Sequence, residues 1–142
     1  MKFVLARAAP WIAALWWGSL GCIGFLVVPL LFAHLPSPAL AGNMAAKLFA
    51  AQTWVSVVCA LLLLLNDREN RSSDHVQQAQ SALLLITLGM LLALLSELAV
   101  APRIVAREKL WFWHSLGSGL YVVQWVCAGW VFRTVLRASA RP

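Results

Sequence analysis

Four long apolar runs restrict the folds that this sequence can adopt. A transmembrane helix needs about 20 predominantly apolar residues, because it rises about 1.5 Å per residue across the hydrocarbon core. Each run is long enough, or nearly so, to meet that requirement. The sequence therefore predicts an all-α integral membrane four-helix bundle, formed by one membrane domain. The predicted spans occupy residues 11–33, 48–65, 81–101 and 110–133.

Composition excludes an ordinary soluble domain. The chain has 142 residues, of which 62% are hydrophobic and 11% are charged, whereas soluble domains average about 45–50% apolar and about 25% charged residues. Such a chain has too few polar groups to cover its surface in water, so its predicted surroundings are a lipid bilayer. The first apolar run continues uncharged to Ala33, which is too long for a signal peptide and predicts an uncleaved first span.

The basic residues indicate an orientation. The formal net charge is +6, but Lys and Arg lie at the ends of the apolar runs, where they are typical of topology signals and lipid-headgroup contacts rather than of nucleic-acid binding. Seven lie near the termini and in the polar loop at 66–74, and four lie on the other side of the spans. This excess predicts that both termini are cytoplasmic. The four are Lys47, Arg103, Arg107 and Lys109.

Local signals predict helix starts and contact faces. Ser37 followed by Pro38 is typical of a helix start, with the serine as cap. Small residues permit close helix packing in lipid, so the four-residue spacing of Ala14, Gly18 and Cys22 predicts a contact face on span one, widened by two further glycines. Trp16 and Trp17 are predicted to lie deeper in the membrane and to pack against neighbouring helices, and Trp11 is predicted to lie near a membrane boundary. The two further glycines are Gly21 and Gly24.

A polar stripe follows one side of span four. Its members are separated by three or four residues, so at about 100° per residue they share about one third of the helix circumference. Polar groups within hydrocarbon need partners, and the stripe is therefore predicted to face the other helices. The stripe consists of His114, Gly117, Ser118, Tyr121 and Gln124.

The same end of the predicted bundle collects other polar residues. Glu97 is the only carboxylate within an apolar run, and an unpaired charge there is costly. Its predicted partners are His114, Lys47 and Arg103. The predicted polar cluster comprises Lys47, Glu97, Arg103, Ser118, Tyr121 and Gln124.

Two interpretations of the histidines remain open. In one, Glu97 and His114 reach the membrane interface or form a hydrogen bond with each other. In the other, His34 and His114 bind a cofactor or handle protons, because imidazole suits haem iron, copper or zinc. Haem and copper are the candidate cofactors, and the metal is unknown. Three cysteines within the apolar runs show neither disulfide nor zinc-site spacing.

No catalytic motif is present. The sequence lacks a Walker loop, a dinucleotide fingerprint, H-E-x-x-H and G-x-S-x-G. His114 and Ser115 are adjacent, so their side chains point about 100° apart on a helix and cannot form a nucleophile–base pair. We therefore predict no catalytic residue, and an enzymatic role is not favoured.

Three stretches carry a resemblance to a known family: LWWGSLGCIGFLVVPLLF, AGNMAAKLF and LWFWHSLGSGLYVVQ. Together they resemble bacterial membrane proteins with domain of unknown function 4149, a family similar to a eukaryotic transmembrane protein linked to drug resistance. The resemblance covers most of the chain. It implies a four-span protein of unassigned biochemistry in the bacterial inner (plasma) membrane.

Three functional hypotheses follow. The first is a small binding or accessory membrane protein, with haem or a metal held by its histidines as one form. The second is a small transporter or an efflux-related component. The third is a haem-dependent membrane oxidoreductase. The sequence names no substrate, and it is compatible with a homo-oligomer or with a partner protein in the membrane.

Overall fold

The computed structural model describes residues 2–69, 76–106 and 109–139. Most of the predicted polar loop at 66–74 lies outside these residues, as do Arg107 and Arg141, which entered the charge count. Within them, four long helices form, and all four are long and apolar enough to cross a membrane. The prediction of an all-α membrane four-helix bundle is confirmed.

Two of the four helices contain a short π-helical segment. Helix α1 comprises Lys2–Cys22, the π segment Ile23–Val27 and Val28–His34, and helix α2 is Pro38–Glu69. Helix α3 comprises Val76–Leu95, the π segment Ser96–Val100 and Ala101–Val105, and helix α4 is Leu110–Ser139. The apolar portions that fit a membrane span are Ala8–His34, Pro38–Asn66, Gln80–Val105 and Leu110–Ser139.

The helices form a ring in which each packs against the two beside it: α1 against α2 and α4, and α3 against α2 and α4. Short connections make consecutive helices antiparallel neighbours. We call the end where α1 passes to α2 and α3 passes to α4 the linker end. The other end, where α1 begins and α4 ends, is the terminal end.

The centre of the ring is filled by one large side chain from α1. Trp16 is fully buried, together with Ala13 and Leu20 of the same helix. A Cβ on Gly89 of α3 would lie 2.9 Å from the Trp16 ring, so the absence of a side chain there admits the indole. Trp17 stacks on aromatic rings of α4. The predicted packing of both tryptophans is confirmed, with Trp17 5.7 Å from the rings of Trp125 and Phe132.

The contact face predicted for span one is wrong in part. Gly18 has no atom within 4 Å of a Cβ built on it, and Cys22 is exposed. Trp16 and Leu20 fill the interior instead, and Gly18, two residues from each, points to the opposite side of the helix. Gly21 and Gly24 do meet α4, because a Cβ on either would contact the ring of Trp125 or Tyr121.

A proline follows each π segment by two residues. In a regular helix a proline ring clashes with the carbonyl four residues earlier, which is Phe25 for Pro29 and Leu98 for Pro102. Both carbonyls lie inside the π segments, where the wider turn relieves that conflict. Helix α3 therefore continues through Pro102 to Val105.

Candidate functional site

A cavity of about 430 Å³ lies among the four helices towards the linker end. This volume falls within the range of about 300–1,000 Å³ that is usual for small-molecule sites. All four helices contribute to the wall, which is mostly apolar and includes Phe25, Val28, Phe32, Val100 and Ile104. The cavity is therefore large enough for a small molecule with a hydrophobic body.

The π segments help to form this cavity. Gly24 and Phe25 line it from the segment in α1, and Ser96 and Glu97 line it from the segment in α3. A π turn inserts a residue into the helical repeat and so changes the directions of the side chains around it. Such turns occur frequently at functional sites.

The polar stripe of α4 lies along the cavity wall. All five of its residues line the cavity, although only Gln124 is fully buried. This side of α4 therefore faces the space between the helices. The five residues are His114, Gly117, Ser118, Tyr121 and Gln124.

Gln52 of α2 contributes an unpartnered acceptor to the wall. The Ser19 hydroxyl donates to the Trp16 carbonyl at 3.1 Å, so its oxygen must accept from the Gln52 amide nitrogen, 2.9 Å away. This contact fixes the orientation of the amide. Gln52 is only 2% exposed, and no described residue donates to its Oε1. A residue of the cavity wall thus carries a buried amide oxygen without a partner among the described residues.

Two other polar groups of the wall use their protons within the protein. The Tyr121 hydroxyl donates to the Leu20 carbonyl at 2.8 Å. The Gln124 amide nitrogen donates to the Ser56 hydroxyl at 3.0 Å, and this buried contact joins α4 to α2 across the ring. The tyrosine proton is therefore used within the protein, whereas the Gln124 amide uses one of its two N–H groups.

Glu97 and its neighbour Ser96 line the cavity from α3. Glu97 is half-buried, and no cation lies within ion-pair distance of it in the described part of the chain. The Ser96 hydroxyl is buried without a partner among those residues. Of the partners predicted for Glu97, the structure brings His114 to the same cavity but not Lys47 or Arg103.

The two remaining members of the predicted polar cluster lie outside the cavity. Lys47 is exposed on α2. The Arg103 guanidinium donates to the Ala99 carbonyl at 2.6 Å and lies 4.6 Å from the centre of the Trp113 ring. Arg103 is therefore occupied by contacts near the linker end.

The predicted pair of histidines is not brought together at the cavity. His114 lines it, whereas His34 does not. His34 is exposed at the end of α1, where its Nδ1 donates to the Leu30 carbonyl at 3.0 Å. Within the described ranges, no three His, Cys, Asp or Glu side chains are grouped so that they could hold a metal ion.

Sequence reasoning identified the polar face of α4 and Glu97 but missed Gln52 and Ser96 as parts of the same site. Gln52 gave a signal, because it is a lone amide within the apolar run of α2. Ser96 immediately precedes Glu97, and Pro102 lies six residues after Ser96. The proline spacing could have indicated a local break in α3 near both residues.

Comparison with known proteins places the chain in a family. The model of a family described as "Domain of unknown function (DUF4149)" matches residues 11–110, which is more than half of the chain. No curated protein and no solved structure matches it. The matched segment includes the cavity residues of α1, α2 and α3. The chain therefore belongs to the DUF4149 family of domains of unknown function.

Proposed function

We propose that this membrane protein binds a small, largely apolar molecule in the cavity at the linker end, as a binding or accessory protein. The observation that carries the proposal is Gln52, a residue of the cavity wall whose Oε1 is a buried acceptor without a partner among the described residues. A buried polar atom without a partner costs about 1–3 kcal/mol. Apolar walls with a few placed polar groups are typical of small-molecule sites.

Native mass spectrometry of protein extracted with its lipids tests this proposal. Ser118 lines the cavity and is exposed, so the larger side chain of Ser118→Phe should block the space. We expect a discrete small-molecule adduct in the wild type and its loss in this variant. Val126→Phe, on the exposed side of α4, is the control and should keep the adduct. A folded Ser118→Phe protein with an undiminished adduct contradicts the proposal.

The two π segments support the second candidate, a small transporter or efflux-related component. In many transporters the substrate site is formed where helices are interrupted. Here α1 and α3 each carry a π segment that lines the cavity, followed two residues later by a proline. Purified protein in liposomes would separate the two roles: a transporter moves the bound molecule across the bilayer, whereas an accessory protein only retains it.

The position of His114 supports the haem- or metal-associated form of the proposal, including a haem-dependent oxidoreductase. Because His114 lines the cavity and His34 does not, His114→Ala should remove a haem absorption band that His34→Ala leaves in place. Wild-type protein that is purified colourless and free of copper and iron contradicts this form. Such a result does not contradict the proposal that the cavity binds an organic molecule.

We further propose that the protein lies in a bacterial inner membrane with both termini in the cytoplasm. The support is the excess of Lys and Arg in the sequence near the termini and in the polar loop at 66–74, seven against four on the other side of the spans. A reporter that is active only in the cytoplasm, fused after Pro142, should be active. Activity of a reporter that works only outside the cytoplasm would reverse the orientation.

Two assemblies are compatible with this role: a homo-oligomer and a complex with another membrane protein. Crosslinking in native membranes separates them, since a homo-oligomer yields multiples of the 15.6 kDa chain. A band of any other mass indicates a different partner protein.

A further inference from the structure

We propose that the molecule bound in the cavity is a lipophilic amine, with an ammonium head on Glu97 and Gln52 Oε1 and an alkyl or aryl body against the apolar wall. This inference rests on the proposed function, because it names the chemical class of the ligand for the same cavity. It stands on three features of the wall: its acceptors, its charge and its aromatic rings.

The first feature is an excess of acceptors. A carboxylate and an amide oxygen can only accept hydrogen bonds. Glu97 and Gln52 both line the cavity, and Gln52 Oε1 is buried without a partner among the described residues. Gln52 directs its amide nitrogen to Ser19, and Tyr121 donates its proton to the Leu20 carbonyl. The Ser96 hydroxyl, also in the wall and without a partner among the described residues, can donate or accept. A head that donates several hydrogen bonds, as an ammonium does, can therefore satisfy the carboxylate, the amide oxygen and the hydroxyl together.

The second feature is charge. Glu97 is the acidic residue of the wall, and the described residues supply no cation within ion-pair distance of it. Arg103 is held by the Ala99 carbonyl and the Trp113 ring, and the basic side chain that lines the cavity is the imidazole of His114. A half-buried carboxylate in hydrocarbon is costly without a counter-charge, which a cationic ligand would supply.

The third feature is aromatic. Phe25, Phe49 and Tyr121 line the cavity, and the Phe49 and Tyr121 rings meet edge to face with 5.1 Å between their centres. Ring faces attract cations within about 6 Å, most strongly where water is excluded. The same rings offer apolar surface to the body of the ligand. A carboxylate with the same apolar tail as the amine carries the opposite charge and should therefore find no equivalent site.

The test compares three probes of equal tail length, octylammonium, octanol and octanoate, by calorimetric titration of the protein in phosphatidylcholine nanodiscs, with empty nanodiscs subtracted. We expect octylammonium to bind most tightly. Glu97→Gln and Gln52→Leu should each weaken its binding about tenfold or more, the size of a lost hydrogen bond to a charged group. In the same titration, both variants should change the affinity for octanol by less than about twofold.

The control for charge is Asp67→Asn, since Asp67 lies near the terminal end of α2, and it should leave all three affinities unchanged. Adding phosphatidylethanolamine to the nanodiscs identifies the source of the amine. If phosphatidylethanolamine competes with octylammonium, the natural ligand is a lipid headgroup. If it does not compete, the natural ligand is a free amine. Both results require that the cavity bind an ammonium group.

Failure of this inference and failure of the proposed function give different results. If Ser118→Phe abolishes octanol binding, the cavity binds ligands. If, in addition, octylammonium binds no more tightly than octanol and Glu97→Gln changes the affinity of neither probe, the amine inference is wrong. If neither Ser118→Phe nor Ala101→Phe, a second substitution in the cavity wall, reduces the binding of any probe, the proposed function is wrong as well. Tighter binding of octanoate also overturns the amine inference.

Discussion

Trp16→Ala is expected to lower the free energy of unfolding by about 3–5 kcal/mol, the usual cost of removing a large aromatic side chain from a packed interior. Trp16 is 0% exposed and fits against Gly89 of α3. Helices in lipid associate mainly through close packing, so the lost contacts at the centre of the ring cannot be replaced by lipid. Unfolding in mixed micelles with increasing SDS, followed by circular dichroism, measures the loss.

Trp11→Ala is the matched control for this experiment. Trp11 lies on the same helix but is 78% exposed, and its removal should cost far less stability. Equal destabilisation by the two substitutions would contradict the packing described for the ring. It would indicate that α1 contributes to stability mainly through lipid contacts.

Gly24→Leu is expected to disturb both the cavity and the contact between α1 and α4. Even a Cβ at this position would collide with the Tyr121 ring, so the phenol must move away from the Leu20 carbonyl that it now reaches. Overpacking of this kind usually costs about 1–3 kcal/mol. The displaced ring also narrows the cavity, and we expect octylammonium binding to fall about tenfold, equivalent to about 1.4 kcal/mol.

Gly18→Leu provides the comparison, because nothing lies within 4 Å of a Cβ at Gly18. The same change in side-chain size should therefore leave stability and binding close to those of the wild type. Gly24→Leu combined with Tyr121→Ala should recover part of the lost stability, since it removes the ring that collides. If Gly18→Leu proves as damaging as Gly24→Leu, the face of α1 that contacts the bundle has been assigned incorrectly.

Most of the fold could be predicted from the sequence because few backbone structures can span a bilayer. Four apolar runs of spanning length can satisfy their backbone hydrogen bonds as helices. Ser37 and Pro38 indicated where α2 begins, and the Leu40 amide indeed donates to the Ser37 hydroxyl at 3.3 Å. Composition and local capping were sufficient for these features.

The choice of contact faces was less accessible, since lipid and protein interiors are both apolar. The spacing of Ala14, Gly18 and Cys22 suggested an interface, but the volume at the centre of the ring is filled by Trp16 and Leu20. Which side of α1 turns inward depends on matching shapes in other helices, such as Gly89 opposite Trp16. A periodic pattern in one helix does not contain that information.

The candidate site was accessible only in part, for the same reason. Periodicity brings the stripe on α4 to one side, but the meeting of Glu97 with Gln52 in one cavity depends on how α2 and α3 pack. The π segments shift the helical repeat near Ser96 and Glu97, which regular periodicity does not anticipate. His34 and Arg103 lie near the same end of the bundle as the cavity but do not line it. A similar depth in the membrane does not determine which side chains face the same cavity.

Photoaffinity labelling with an alkylamine that carries a diazirine on its tail tests the central claim, ligand binding in the cavity, most directly. Peptide mapping should find the label on cavity residues of several helices, such as Phe25, Thr53, Val100 and Val122. Ser118→Phe should abolish it, and excess octylammonium should compete with it. Labelling confined to lipid-facing positions such as Trp11 and Trp54, and unchanged in Ser118→Phe, would contradict the claim.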